Sequence, residues 1–283
     1  MNNVPFLSLL ATDIKQLTNE QRMNMLVVLP TMRACATLRK KLCADECTMM
    51  LPHITTIADF VASYNKYIVP SELVLLGILY QVYDSINTEA QPFDRFYPWG
   101  KMLLNDFDEV DKYNVSAREV FSIVKAQKDI EKSDYLTEEQ HNVLNDFFGT
   151  AINSNNEVAQ QFMYLWQQMY IIYDAFNTAL AQQGYCYTGA LYKNILMQLR
   201  NQQLLLPYSK IYFAGFSALT TTEELLLDTL SSQYDVTIYW DTDISYMNDT
   251  AREAGNFLRS YKKKFLAARQ VWIEEDFFKD KNI

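Results

Sequence analysis

The sequence predicts an α/β protein whose parallel sheet is interrupted by a large helical insertion. Four short runs rich in strand-forming residues lie toward the two ends of the chain: Met25–Leu29, His53–Thr56, Ile211–Ala214 and Val236–Trp240. Their length and composition are typical of strands in a sheet that is buried on both faces. Between the second and third runs, apolar residues recur with helical spacing.

These patterns divide the chain into two parts. Residues 1–69 and 208–283 form the predicted α/β core, and residues 70–207 form the predicted all-helical insertion. The chain has 283 residues, half of them apolar, with only seven glycines and seven prolines, which indicates a helix-rich globular protein. The apolar and acidic stretch Val271–Phe278 has no predicted partner, so we expect a fragment of a longer protein.

Along the chain, helices are predicted before, between and after the first two strands. Residues 5–21 have one apolar face, Thr31 caps a helix over Met32–Leu42, and Thr56 with Asp59 caps a helix from Ile57 to Tyr67. The remaining predicted helices cover residues 71–87, 97–113, 115–132, 138–149 (opened by a capping box at 137–140), 157–183, 188–201 and 250–265.

One βα unit, Lys210–Leu230, is the best-formed candidate site. Its strand is closed by Gly215, and Thr220 with Glu223 forms a capping box for the following helix. Ligands of open α/β sheets bind at the carboxyl ends of such strands. The loop 215–219 contains no acid, base or metal ligand, so we expect no catalytic residue there.

Charge and cysteine content restrict the function classes. The net charge of −9 argues against a surface that attracts nucleic acid as a whole, so any contact with DNA needs a local basic patch. Cys43, Cys47 and His53 do not make a convincing zinc site, and four unpaired cysteines indicate a reducing cytoplasm. Neither a signal peptide nor a membrane span is predicted.

The candidate DNA-binding residues are Thr31, Arg33, Arg39, Lys40 and Lys41. They follow the first strand directly, and the N-terminus of a helix there can receive a backbone phosphate. An ordinary exposed basic helix is the alternative interpretation. A second basic group, between Arg252 and Lys264, is a weaker candidate.

Two acidic groups have an ordinary explanation. Asp106, Asp108, Glu109 and Asp111 could hold a divalent cation, but we favour a solvated helix face. Asp241 and Asp243 follow the fourth strand, where turn and cap chemistry explains them as well as function does.

The motifs of nucleotide hydrolysis are absent from the sequence. Neither GxxxxGK[ST] nor GxGxxG occurs, and His53 and His141 lack partners for nucleophilic catalysis. We therefore expect no catalytic activity, no cofactor and no metal in this chain.

Five segments together resemble a known family. They are VVLPTMRACATLRKKL (27–42), LPHITTIADFV (51–61), FYPWGKMLLNDFDEVDKYNV (96–115), IYFAGFSALTTTEELLLDTL (211–230) and IYWDTDISYMNDTAREAGNFLR (238–259). In order and spacing they resemble the N-terminal region of the large PD-(D/E)XK nuclease-family proteins of Bacteroidetes-type bacteria. Those proteins are similar to AddB and RecC, helicase-like subunits of double-strand-break repair complexes.

The resemblance implies a RecA-like, superfamily 1 helicase core (1A-like) with a helical insertion (1B-like). It places Thr31 and Arg33 where such helicases contact single-stranded DNA. It places Gly215 and Phe216 where an active helicase carries its magnesium-binding Asp-Glu pair. The implied function is a non-catalytic module that guides DNA, with an AddA-like partner subunit and an exonuclease domain elsewhere in the parent protein. The alternative is a helical protein-interaction scaffold without direct DNA binding.

Overall fold

The computed structural model describes residues 5–44, 49–87, 90–126 and 157–275. The chain divides into two compact units. Unit 1 combines residues 1–64 and 195–283, and unit 2 comprises residues 65–194.

Unit 1 is an α/β unit with a five-stranded, all-parallel sheet in the order β2-β1-β3-β4-β5. Its strands are β1 (Met25–Leu29), β2 (His53–Thr56), β3 (Lys210–Ala214), β4 (Asp235–Asp243) and β5 (Arg269–Glu275). Its helices are α1 (Phe6–Gln16), α2 (Asn19–Met23), α3 (Met32–Leu42), α4 (Ile57–Ser63), α10 (Thr221–Gln233), α11 (Ile244–Asn248) and α12 (Asn256–Tyr261), with a 3-10 turn at Glu253–Gly255.

Helices cover the central strand on both faces. All five residues of β1 are buried. Val27, beside Ile54 of β2 and Tyr212 of β3, packs in one cluster with α1 and α3. Because side chains alternate along a strand, Leu26 and Val28 face the opposite side, where α4 contacts β1.

Unit 2 consists of helices packed through aromatic side chains. The helices are α5 (Glu72–Ile86), α6 (Phe93–Lys112), α7 (Ala117–Ala126), α8 (Glu157–Gln182) and the start of α9 (Thr188–Arg200). Phe96 of α6 is fully buried and contacts Tyr80 and Tyr83 of α5. No helix in the described ranges is long and apolar enough to cross a membrane.

The predicted strands and several predicted caps are confirmed. Thr31 accepts a hydrogen bond from the Ala34 amide, and Thr56 accepts one from Asp59. Thr220 and Glu223 form the reciprocal capping box of α10. The predicted helix at 138–149 and its capping box lie outside the described residues, as does the end of the helix predicted at 115–132.

The single helix predicted over residues 5–21 is wrong. The chain leaves helical geometry at Leu17, and Thr18 forms a second capping box with Gln21 that starts α2. The buried Arg22 side chain donates hydrogen bonds to the carbonyls of Leu17 and Lys15. These contacts satisfy backbone groups that a continuous helix would have paired internally.

The helix predicted over residues 250–265 is also wrong, because the chain there wraps around one guanidinium group. Arg259 donates hydrogen bonds to the carbonyls of Tyr246, Asp249 and Arg252. Only the turn at 253–255 and α12 are helical. The apolar and acidic stretch that follows does have a partner, since its described part is β5, parallel to β4.

The capping box of α10 gives a stability prediction. We expect Thr220→Ala to lower the free energy of unfolding by about 1 kcal/mol, because the Glu223 amide loses its acceptor. Urea titration followed by circular dichroism measures the change. Thr221→Ala, at the exposed neighbouring position, should stay within about 0.5 kcal/mol of the parent chain; equal losses in both variants would contradict a specific cap.

Candidate nucleic-acid interface

The strand order creates a topological switch point at the carboxyl edge of the sheet, where open parallel sheets form a ligand-binding crevice. From β1 the chain crosses to β2 on one side, whereas β3 leads to β4 and β5 on the other side. The switch point therefore lies between the ends of β1 and β3, and ligands of open parallel sheets bind at such a point. The segments that leave these two strands are residues 30–33 and 215–219.

The N-terminus of α3 forms the β1 side of this crevice. Pro30, Thr31, Met32 and Arg33 are all exposed. The Thr31 side chain accepts a hydrogen bond of 3.2 Å from the Ala34 amide. The first-turn amides of an α-helix have no intrahelical acceptor, so the local potential favours an anion.

The predicted basic residues of α3 fall into two groups, one with intramolecular hydrogen-bond partners and one without. The Arg39 guanidinium donates a hydrogen bond to the Ile54 carbonyl of β2, and Lys41 donates one of 2.6 Å to the Ser8 hydroxyl of α1. Both residues thus fix α3 to its neighbours. In the described part of the chain, the side chains of Arg33 and Lys40 are exposed and have no polar partner.

Arg33 and Lys40 lie on one face of α3. Seven residues correspond to almost two helical turns, so the two positions are about 10 Å apart along the helix axis. Cations on such flexible side chains can reach two separate phosphates of a nucleic-acid backbone. The assignment of all five residues to DNA binding stays a prediction.

The β3 side of the crevice has no ionisable group. Gly215 has a left-handed backbone (φ 75°), and its amide donates to the Tyr239 carbonyl at 3.1 Å. Phe216 is buried and contacts Phe213. The Leu219 amide donates to the Tyr261 hydroxyl at 2.9 Å, which fixes the end of the loop. These positions offer no carboxylate for magnesium.

Asp241 and Asp243 do not follow the fourth strand as predicted, because β4 extends to Asp243 through its pairing with β5. Asp243 accepts a hydrogen bond of 2.8 Å from the Ser245 amide and caps α11, as turn and cap chemistry predicts. Asp241 lies within β4, paired with Ile273 of β5. No group of three potential metal ligands occurs among the described residues. Cys47, one candidate zinc ligand, lies outside them.

Most cations of the second basic group make intramolecular contacts. Lys262 pairs with Glu274 at 3.4 Å, and Lys264 pairs with Glu224 at 2.7 Å. Arg259 binds backbone carbonyls, as described above. Within this group, only exposed Lys263 has no polar side-chain partner among the described residues.

The expectation of a solvated acidic face on α6 is wrong at most of its positions, because only Glu109 is exposed, Asp106 and Asp108 are half-buried, and Asp111 is buried. Asp111 is 1% exposed. Its carboxylate accepts hydrogen bonds from the Tyr173 hydroxyl (2.7 Å), the Tyr187 hydroxyl (2.5 Å) and Lys193 Nζ (2.7 Å). Sequence reasoning missed these partners because they lie 62 to 82 residues away along the chain.

The network around Asp111 shifts the pKa of the side chains that donate hydrogen bonds to this carboxylate. Burial, followed by the charge of Asp111, raises the pKa of Tyr173 and of Tyr187, so both hydroxyls remain donors. Burial alone would lower the pKa of Lys193, but the hydrogen bond to Asp111, the charge of Asp111 and the contact with Tyr173 together outweigh burial and raise that pKa. The carboxylate is thus held by three donors as a structural hub of unit 2.

Comparison with known proteins finds no family model that matches the chain and no matching curated protein.

Loss of the buried carboxylate should be costly. We expect Asp111→Ala to lower the free energy of unfolding by about 3–5 kcal/mol, because two hydroxyls and an ammonium group lose their shared acceptor. Denaturant titration measures this loss. Asp174→Ala, at an exposed position of α8, is the matched control and should change stability by less than about 0.5 kcal/mol. A loss at Asp111 no larger than that of the control would rule out the structural role.

Asp106 gives a pH-dependent prediction. Burial, with a contribution from Glu109, raises the pKa of Asp106 from 3.8 to about 6. The folded state therefore binds the Asp106 proton more tightly than the unfolded chain does. The stability that the protonated Asp106 carboxyl contributes is lost as pH rises through about 6.

Asp106→Asn removes the unfavourable charge of a half-buried carboxylate. We expect this variant to exceed the parent chain in free energy of unfolding by on the order of 1–2 kcal/mol at pH 8, with the difference shrinking toward pH 4. Urea titrations at several pH values test this expectation, with Asp174→Asn as the exposed control. A difference that does not depend on pH would contradict it.

Proposed function

We propose that the chain is a non-catalytic, helicase-like module of a larger DNA helicase-nuclease that acts in double-strand-break repair. In this proposal it guides DNA past the carboxyl end of β1. The observation that carries the proposal is the exposed face of α3, where Arg33 and Lys40 have no polar partner in the described part of the chain. The resemblance of five segments to AddB-like proteins supplies the biological context.

The position of this face supports contact with DNA. Arg33 lies in the first turn of α3, so its charge adds to the favourable potential of the helix N-terminus. That terminus borders the crevice where parallel sheets bind ligands. A phosphate placed there would meet the free amides of the first turn and the guanidinium group together.

The residues at the end of β3 support DNA guiding rather than ATP-driven translocation. A RecA-like motor needs a phosphate-binding loop and an acidic pair at the strand ends. Here Phe216 is buried in the core, and the Gly215 amide is bonded to Tyr239. The parallel sheet, with a helical segment between β2 and β3, is consistent with a helicase-like (RecA-like) core that lacks this chemistry.

A protein-interaction scaffold is the second candidate function. The net charge of −9 favours it, because a surface with net negative charge repels DNA, and Lys262 and Lys264 of the second basic group are paired with glutamates. An AddA-like helicase-nuclease subunit is the partner that the family resemblance implies for either function.

Binding to a labelled duplex with a single-stranded tail tests the proposal. We expect Arg33→Ala/Lys40→Ala to weaken binding roughly tenfold at low salt and to reduce the salt-dependence slope by about 1.5, since two phosphate contacts are lost. Fluorescence anisotropy at several salt concentrations measures both quantities.

The matched control is Lys66→Ala/Arg200→Ala, which removes one lysine and one arginine at exposed positions outside α3 and outside the second basic group. It should retain the affinity and slope of the parent chain. Equal losses in the two variants would indicate a non-specific charge effect. No binding of the parent chain at low salt would favour the scaffold.

A further inference from the structure

The strand β5 forms one edge of the sheet in unit 1 and pairs with β4 along one side. No strand in the described ranges covers its outer side. The strand has seven residues, Arg269–Glu275, and contains neither proline nor glycine. Such an edge exposes a row of backbone donors and acceptors that another strand can pair with.

Two hydrogen bonds establish which backbone groups face outward. The Gly215 amide donates to the Tyr239 carbonyl, so the next residue of β4, Trp240, directs its backbone toward β5. The Thr242 hydroxyl donates to the Ile273 carbonyl at 3.1 Å, so that carbonyl points toward β4. Because these groups alternate along a strand, Gln270, Trp272 and Glu274 direct their N–H and C=O groups to the open edge.

The two edges of the sheet differ in how well they are protected. At the opposite edge, β2 has only four residues, follows Pro52 and leads directly into α4. Short edge strands and neighbouring prolines prevent pairing with other chains. The centre of β5 is instead Val271, Trp272 and Ile273, three consecutive apolar residues that are all partly exposed.

We propose that β5 is a dimerisation edge, which pairs antiparallel with β5 of a second copy of this chain. A two-fold axis at Trp272 places this residue beside its own copy, Val271 beside Ile273, and Gln270 beside Glu274. In this register the residues at 270, 272 and 274 are the hydrogen-bonded pairs, and they are the residues whose backbone groups already face outward. The two sheets would join into one of ten strands.

The sequence of β5 favours a second copy over an unrelated strand. Its apolar residues are central, an arginine occupies position 269 and glutamates occupy positions 274 and 275. Antiparallel pairing about Trp272 brings position 269 beside position 275, with opposite charges, at both ends of the interface. A pairing register of the two β5 strands shifted by two residues would instead place a charged residue beside an apolar one. This inference does not depend on the proposed contact with DNA.

The expected dimer is weak, because one strand pair buries less surface than a standard protein interface. We expect a Kd in the micromolar range. Sedimentation velocity of the full chain, from about 2 to about 200 µM, should show a concentration-dependent shift from monomer to dimer. A monomer throughout this range would overturn the proposal.

Charge reversal at the two ends tests the register. Arg269→Glu and Glu275→Arg should each weaken the dimer roughly tenfold, because like charges then meet at both ends. An equimolar mixture of the two variants should recover the affinity of the parent chain, since every such pair in the mixed dimer again has opposite charges. The double variant should recover it as well.

Arg200→Glu, a charge reversal at an exposed position of α9, is the matched control and should dimerise like the parent chain. Thermal melting of each variant establishes that it is folded. A dimer that resists both single reversals, or a mixture that fails to recover, would show that β5 does not pair in this way.

Discussion

The parallel sheet of unit 1 depends on the burial of both of its faces. A strand such as β1, with five apolar residues in succession, has apolar side chains on both faces. Exposure of either face to water would be unfavourable, so helices pack on each face. The helices α1 and α3 cover one face, and α4 contacts β1 from the other. Arg39 and Lys41 serve this requirement, because their hydrogen bonds attach α3 to β2 and to α1.

The same requirement determines where function can lie. With both faces covered, the carboxyl edge is where chain segments leave the sheet and a crevice forms. At this edge the β3 loop is closed by its own backbone bonds and by the buried Phe216. The β1 side keeps an exposed helix terminus. On the β1 side, an anionic ligand would therefore meet the first-turn amides of α3 and the charge of Arg33.

Local chemistry made much of the fold predictable, and distant partners made the rest unpredictable. The strands β1 to β4 and the cap residues Thr31 and Thr220 follow from neighbouring residues alone. The strand β5 required β4 as a partner, and the break after Leu17 required the side chain of Arg22. For the candidate site, the sequence located the basic helix, but only packing separates its free cations from those that hold α3 in place.

Asp111 illustrates why charge patterns alone mislead. On a helix with four acids within six residues, a solvated face is the ordinary expectation. One of these carboxylates instead lies in the core, because two tyrosines and Lys193 compensate its desolvation. The same logic applies to the cations of unit 1. Arg259 and Lys264 are satisfied by internal acceptors, so they have little to gain from an external anion, whereas Arg33 and Lys40 keep their full capacity to bind one.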